Sequence, residues 1–154
     1  MGIGSDAMGM PCSFSMTEKK HIVFLGIGSN LGDKEENIGE AVRRIQRSVG
    51  KVVKLSTLFY SKPWGFDSPN DFVNVVARCC TTLTPKRLLK ETQKIECDMG
   101  RTTKSENAQY HDRIIDIDIL RYDDLHIDYP ELQIPHPLMM ERDFVVIPLK
   151  EVLD

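Results

Sequence analysis

Two aspartates alternate with isoleucines in RIIDIDIL, the stretch that covers residues 113–120. Residues two apart in a β-strand share a face, with Cα atoms about 6.6 Å apart, so Asp116 and Asp118 would project together while the isoleucines face a core. Two carboxylates at that separation suit one or two Mg²⁺ ions, which complete their coordination with water and phosphate oxygens. The alternative is the solvated face of an antiparallel strand, which explains a generic D-x-D at least as often.

Two arginines beside this stretch favour the phosphate interpretation. Arg113 directly precedes the aspartates, and Arg101 begins the polar, unpatterned segment RTTKSENAQYHD, residues 101–112. A guanidinium offers a planar set of donors that matches phosphate oxygens. A segment of this length inside a compact domain is usually a lid or a binding loop. We therefore expect residues 101–113 to contact an anionic substrate.

Two further groups of side chains could contact a substrate. His136 lies between prolines, with Arg142 nearby, and suits a contact to a phosphate or ribose, although a structural hydrogen bond is an equally common role for a lone histidine. Trp64, Phe66 and Phe72, with Asn74, combine aromatic faces and an amide, which suits a flat heterocycle. Their alternative is ordinary core packing.

A glycine run, LGIGSNLGD at residues 25–33, has the look of a phosphate cradle. Its glycines, however, are spaced G-x-G-x-x-x-G, and the next predicted strand ends in LSTLFY, without the carboxylate that a dinucleotide fold places there. A tight turn from strand to helix is the more common meaning of a short glycine run. The dinucleotide interpretation is therefore disfavoured.

The apolar patterns along the chain predict alternating strands and helices. A helix over 34–49 begins at Asp33, and a second helix begins at Thr84 and Pro85 and ends near Gly100. Four strands are predicted, over 21–27, 51–60, 72–83 and 114–122. A hairpin return is expected at 125–127, and a turn, one helical turn and a short apolar strand within 134–149. The order βαββαβ predicts an α+β, ferredoxin-like single domain, with a mainly antiparallel sheet and helices packed on one face.

Composition limits the partners of this 154-residue chain, whose formal net charge is −3. A slightly acidic balance lacks the broad basic face of a nucleic-acid binder. The four cysteines show no C-x-x-C spacing, and neither a membrane span nor a signal peptide is legible, so we expect a cytoplasmic protein. Residues 1–20 are predicted to be a disordered leader or a remnant of cloning, and residues 21–154 the folded domain.

Taken together, the motifs resemble the 6-hydroxymethyl-7,8-dihydropterin pyrophosphokinase family of folate biosynthesis. The resemblance extends over about residues 21–150. Its carriers are GSNLGD at 28–33, SKPWGF at 61–66, FVN at 72–74, QKIE with GR at 93–101, DRIIDIDIL at 112–120, and IPHP followed by ERDF. One departure is Thr103, which stands where many members carry a second loop arginine, although Lys104 adjoins it.

The resemblance implies a ferredoxin-like fold and transfer of pyrophosphate from ATP to the hydroxymethyl group of the pterin, giving the pterin diphosphate and AMP. It implies that Asp116 and Asp118 bind two Mg²⁺ ions and that Arg101 and Arg113 are catalytic. The ATP-binding residues it implies are Gln93, Glu96, Arg101, Lys104, Tyr110, Arg113, His136 and Arg142. The pterin-binding residues it implies are Ser61, Lys62, Trp64, Phe72, Asn74, Asp116 and Phe144.

Other functions remain open for a domain of this topology, because fold does not fix function. A noncatalytic metabolite-binding module is the main alternative, although such a module has no reason to hold the Asp116 and Asp118 pair beside Arg113. An RNA-binding domain would need exposed aromatic and basic residues on its sheet, where acids are predicted. The expected partners are ATP and the pterin, with no nucleic acid, no membrane and no obligate protein partner.

Overall fold

The computed structural model describes residues 19–63, 68–100 and 113–153. A 3₁₀ turn over Met139–Glu141 precedes the last helix. The strands and helices follow in chain order: β1 His21–Ser29, α1 Lys34–Ser48, β2 Gly50–Leu55, β3 Phe59–Ser61, β4 Phe72–Thr81, α2 Pro85–Asp98, β5 Asp116–Tyr122, β6 Ile127–Tyr129, β7 Leu132–Ile134 and α3 Asp143–Val152.

The main sheet has the strand order β2-β4-β1-β5, with β3 also pairing with β4. Every pairing in it is antiparallel. The helical connections α1 and α2 each join strands that are separated in the sheet by one other strand, as in the split βαβ arrangement. The predicted ferredoxin-like class is therefore confirmed.

The starts of α1 and α2 confirm the capping residues predicted from the sequence. The carboxylate of Asp33 accepts a hydrogen bond from the backbone N–H of Glu36 at 3.2 Å. The hydroxyl of Thr84 accepts one from the backbone N–H of Arg87 at 3.3 Å, and Pro85 occupies the first turn. Each side chain satisfies a backbone donor that the first helical turn leaves without a partner.

The sheet separates two hydrophobic cores. On one face α1 and α2 bury the larger core, which includes Leu25, Ile45, Leu88 and Ile119. On the other face α3 packs a smaller core against strand residues such as Val76. The first two helices thus share one face, as predicted, and the third covers part of the opposite face.

The predicted apolar strand at the C-terminal end is wrong, because residues 143–152 form α3. The β-branched run DFVVI favours a strand by residue type. The buried positions Val145, Leu149 and Val152 are spaced by four and three residues, which is a helical period. Packing of this stripe on the sheet outweighs the local preference.

Two smaller expectations also need correction. The strand expected over 51–60 is divided into β2 and β3, because the hydroxyl of Ser56 accepts a hydrogen bond from the backbone N–H of Val76 at 2.9 Å and interrupts the ladder. The hairpin expected at 125–127 lies later in the chain, where β6 pairs with β7 in a separate two-stranded sheet. The chain turns away from β5 at Asp123, whose backbone N–H donates to Ile22 O at 2.8 Å.

Within the described ranges, no helix combines the length and the apolar character that crossing a membrane requires.

Replacement of Gly50 by alanine should destabilise the fold. A methyl group there would lie 2.0 Å from the carbonyl oxygen of Cys80 on the neighbouring strand, so the sheet would have to shift. Overpacking of this kind costs about 1–3 kcal/mol, and we expect the melting temperature to fall by about 2–10 °C. Thermal denaturation followed by circular dichroism measures the change.

Gly39→Ala is the matched control, because its added methyl group would have Arg43 Nη1 as its nearest neighbour, at 3.6 Å. It lies inside α1, where alanine is preferred to glycine by about 0.5–1 kcal/mol. A Gly50→Ala protein as stable as the parent would contradict this view of the β2–β4 contact.

Candidate active site

A cavity of about 400 Å³ opens on the face of the sheet that carries α3. Its floor comes from β1, β4 and β5, and the segment that leads into α3 forms one wall. The structure brings most of the sequence-predicted site residues together here: Ser61, Lys62, Phe72, Asn74, Glu96, Arg113, Asp116, Asp118, His136, Arg142 and Phe144. One cavity therefore holds both the charged residues and the residues expected to contact a flat heterocycle.

The remaining predicted site residues divide into two groups. Gln93 is half-buried on α2 and does not line the cavity. The predictions for the other four concern positions outside the described residues: Trp64, Arg101, Lys104 and Tyr110.

The paired aspartates occupy the positions that the strand pattern predicted. Asp116 and Asp118 lie on β5 and line the cavity, while Ile117 and Ile119 are buried in the core on the opposite face. The β1 residues directly opposite the two aspartates are both glycines, Gly28 and Gly26 respectively. Because glycine has no side chain, the space above β1 stays open beside the carboxylates.

Asp118 has a strongly perturbed acidity. Burial and the charge of Asp116 raise the pKa of Asp118, Glu96 adds to the rise, and Arg142 and Arg113 oppose it; the net pKa is about 8. Burial and like charge both disfavour an ionised carboxylate. Near neutral pH the arginines therefore compensate only part of the negative charge, and a bound cation would stabilise the ionised form.

The donor set fits magnesium better than a fully protein-bound metal. No cluster of three or more His, Cys, Asp or Glu side chains arranged around an ion occurs in residues 19–63, 68–100 and 113–153. Two carboxylates on one strand face provide a partial ligand set, and Mg²⁺ typically takes one or two carboxylates and fills its other positions with water and substrate phosphate.

Arg113 is held rigidly beside the aspartates. Its side chain is 8% exposed, and its Nη1 lies 3.3 Å from Asp116 Oδ2. The guanidinium also lies over the ring of Phe72, 5.3 Å from the ring centroid. Ion pairing and the aromatic face keep this cation at the floor of the cavity.

Asn30 fixes the backbone of Arg113, a role that the sequence analysis did not predict. Asn30 Oδ1 accepts from the Arg113 N–H at 2.7 Å, and the Asn30 N–H donates to the Arg113 carbonyl at 3.1 Å. Asn30 Nδ2 donates to the carbonyl of Asn70 at 3.2 Å. The GSNLGD motif thus ties together segments that precede β4 and β5. Its position within that motif was the available signal.

Glu96 reaches the cavity from α2 around the edge of β5. Its side chain is buried, and Oε2 accepts a hydrogen bond from the backbone N–H of Ile117 at 2.7 Å. Since β5 is the last strand of the sheet, this N–H faces outward and needs a partner. Glu96 therefore supports the strand that carries the aspartates while adding a third negative charge near them.

His136 lines the cavity, and a backbone contact fixes the tautomer of its ring. Its Nδ1 accepts a hydrogen bond from the backbone N–H of Leu138 at 3.2 Å, so the ring proton lies on Nε2. Burial lowers the pKa of His136, the charge of Arg142 lowers it further, and Asp116 acts in the opposite direction. The ring is thus a neutral donor, which suits a contact to a phosphate or hydroxyl oxygen.

A second group of lining residues suits a planar ligand. Asn74 is buried, and its Nδ2 donates to Ser61 Oγ at 3.0 Å. Phe72 is buried beside it, and the half-buried Phe144 lines the wall that leads into α3. Arg142, also buried, lies 5.6 Å from the centroid of the Phe144 ring.

Fold and geometry together define a class of protein. It is a ferredoxin-like domain with a cavity that combines carboxylates and arginines, which suit phosphate chemistry, with an amide and aromatic rings, which suit a flat ligand. Phosphoryl-type transfer depends mainly on such positioning and charge neutralisation.

Comparison with known proteins gives the family. The model of 7,8-dihydro-6-hydroxymethylpterin-pyrophosphokinase (HPPK) matches residues 24–154. A 2-amino-4-hydroxy-6-hydroxymethyldihydropteridine pyrophosphokinase from Porphyromonas gingivalis is 46% identical over 136 residues, which are 85% of this chain and 90% of the relative. Its Aquifex aeolicus counterpart is 40% identical over 130 residues, 84% of this chain and 79% of the relative. The chain belongs to the HPPK family.

Solved structures agree in fold. The crystal structure of a Plasmodium falciparum HPPK-DHPS triple mutant superposes with a TM-score of 0.66 at 17% identity, covering 88% of this chain and 41% of that one. An HPPK-DHPS crystal structure in complex with substrates gives a TM-score of 0.69 at 13% identity, covering 86% and 40%.

Asp118→Asn should stabilise the protein when divalent cations are absent, and more so at alkaline pH. Because the folded-state pKa is raised from 3.8 to about 8, the folded protein binds the proton more tightly than the unfolded chain, so stability falls as pH rises between these values. We expect the gain in free energy of unfolding to be larger at pH 9 than at pH 5.5 by at least about 1.4 kcal/mol, one pKa unit.

Urea denaturation in the presence of a chelator measures this difference. Asp124→Asn is the control, because Asp124 is fully exposed beside Arg121 in the turn after β5. An equal gain at both pH values, or a loss of stability at pH 9, would contradict the electrostatic account of Asp118.

Proposed function

We propose that this protein transfers the pyrophosphoryl group of ATP to the hydroxymethyl oxygen of 6-hydroxymethyl-7,8-dihydropterin in folate biosynthesis. The products are the pterin diphosphate and AMP. The observation that carries the proposal is the placement of Asp116, Asp118 and Arg113 in the same cavity as Asn74 and Phe72. Membership of the HPPK family supports it, as do relatives whose names state this activity.

The carboxylate pair is assigned to magnesium. Asp116 and Asp118 would hold two Mg²⁺ ions, which when bound neutralise and orient the oxygens of the triphosphate. The raised pKa of Asp118 is consistent with this assignment. A cation would offset both the loss of hydration that burial imposes on the carboxylate and its repulsion by Asp116. Asp116 would also border the pterin.

The cationic side chains are assigned to the phosphates. Arg113 and Arg142 are both buried at the cavity, where a fixed positive charge acts more strongly than in water. His136 would donate Nε2–H to an oxygen of the nucleotide, and Glu96 would border the same substrate. Predictions from the family resemblance complete the nucleotide side with the catalytic Arg101 and with Gln93, Lys104 and Tyr110.

The wall around Asn74 is assigned to the pterin. Its carboxamide offers an acceptor and a donor to the edge of the heterocycle, and Phe72 and Phe144 offer ring faces. Ser61 and Lys62 line the same side of the cavity, and Trp64 is assigned there by the family resemblance. Stacking with an edge-reading amide is a common way of holding a flat ligand.

In the reaction the hydroxymethyl oxygen forms a bond to the β-phosphorus. The bond between the β-phosphorus and the oxygen shared with the α-phosphate breaks, AMP leaves with that oxygen, and the hydroxyl proton passes to solvent. The chain's contribution is to align the two substrates and to neutralise the migrating charge.

The test is to incubate the purified protein with ATP, Mg²⁺ and the reduced pterin, and to quantify the nucleotides. We expect AMP and the pterin diphosphate in equal amounts. Asp116→Ala should reduce the rate at least about a hundredfold, or about 2.7 kcal/mol, because it removes a proposed metal ligand. Asp124→Ala, in the exposed turn, should retain the parent rate. ADP as the product, or full activity in Asp116→Ala, would contradict the proposal.

A further inference from the structure

Gly28 occupies the centre of the cavity floor. In the register of the sheet it lies directly opposite Asn74 of β4 on one side and opposite Asp116 of β5 on the other. All three residues line the cavity. Facing positions on antiparallel strands normally bring their Cβ atoms to about 4.5–5.5 Å. The absence of a side chain at Gly28 therefore leaves a gap between an amide and a carboxylate.

The side chains of Asn74 and Phe72 lie close to the position that a Cβ atom of residue 28 would occupy. A Cβ atom built there would lie 2.7 Å from Asn74 Oδ1 and 3.6 Å from Phe72 Cδ1. Asn74 has little freedom to move away, because it is 6% exposed and its Nδ2 is bonded to Ser61 Oγ at 3.0 Å. A side chain at position 28 would thus displace the carboxamide that faces the cavity.

The backbone conformation at position 28 does not require glycine. The described glycines with positive φ are Gly32, Gly50 and Gly100, so Gly28 has a φ that other residues adopt. Gly26, two residues earlier on the same strand, offers a direct comparison: a Cβ there would lie 3.5 Å from the side chain of Leu120, an ordinary contact. Of the two glycines on β1 that line the cavity, only Gly28 has a tight steric requirement for glycine.

We propose that Gly28 is a specificity-determining position for the heterocyclic substrate. Its missing side chain lets the carboxamide of Asn74 lie against β1 in one orientation, and it keeps the floor open between that carboxamide and Asp116. This inference rests on the proposed function, in which Asn74 reads the pterin edge and the hydroxymethyl group extends toward the carboxylates. The arginines proposed to hold the nucleotide are not among the nearest neighbours of a Cβ atom at position 28.

The consequence is a selective loss. Gly28→Ala should tilt the Asn74 carboxamide and weaken binding of a pterin at least tenfold. Affinity for the nucleotide should change less than threefold, because the added methyl group meets Asn74 and Phe72 rather than Arg113 or Arg142. Gly39→Ala, on α1 and outside the cavity, should change the dissociation constant of either ligand less than threefold.

The experiment is calorimetric titration of the parent and the variants with 6-hydroxymethylpterin, in the presence of Mg²⁺ and a nonhydrolysable ATP analogue. Separate titrations with the analogue give the nucleotide affinity. If the parent binds the analogue but no pterin, the proposed function fails. If the parent binds the pterin and Gly28→Ala binds it within threefold of the parent, this inference fails and the proposed function stands.

A double variant separates a role through Asn74 from a general effect on the fold. In Asn74→Ala the clashing oxygen is gone, so adding Gly28→Ala should weaken pterin binding by no more than a further twofold, a strongly non-additive result. A further tenfold loss would overturn the inference. A double variant that fails to fold would also overturn the inference, because the space vacated by the Asn74 side chain should accommodate the added methyl group. This arm decides the question even if Gly28→Ala alone is unstable.

Discussion

The burial of closely spaced carboxylates is the constraint on which the rest of this site depends. Asp116 and Asp118 project from one face of β5, and Glu96 approaches from α2. Burial with these neighbours raises the pKa of Asp118 to about 8. The nearby cations, Arg113 and Arg142, compensate this charge only in part. A bound metal cation would therefore favour the form of the site in which both aspartates are ionised near neutral pH.

The fold supplies the rigidity that such a strained site needs. The larger core, under α1 and α2, fixes the strands from the face opposite the cavity. Asn30 then holds Arg113 through two backbone-directed hydrogen bonds, and the glycines of β1 leave the floor open. The run LGIGSNLGD looks like a dinucleotide-binding motif. Here its glycines form part of the cavity floor and its Asn30 holds the backbone of Arg113, while most of the other site residues come from other segments.

Sequence patterns correctly predicted the features that interactions between residues close in sequence determine. Thr84 caps its helix through a bond three residues along the chain, and Asp118 follows from alternation within one strand. The helix at 143–152 could not be predicted from its β-branched residues, because its packing on a distant sheet face decides its form. The roles of Asn30 and Gly28 depend on strand register, which joins residues far apart in sequence. The family resemblance predicted the residues proposed to contact the pterin. The fold was needed to show which of them line the same cavity.

The most direct test of the account is the titration of Asp118 itself. The side-chain carboxyl carbon, labelled with ¹³C and assigned with Asp118→Asn, can be followed by NMR against pH with and without Mg²⁺ and a nonhydrolysable ATP analogue. We expect a midpoint of about 8 for the free protein, and a fall of at least about two units when the cation and nucleotide bind. A free-protein midpoint near 3.8, the ordinary value, or one that ligands leave unchanged, would contradict it.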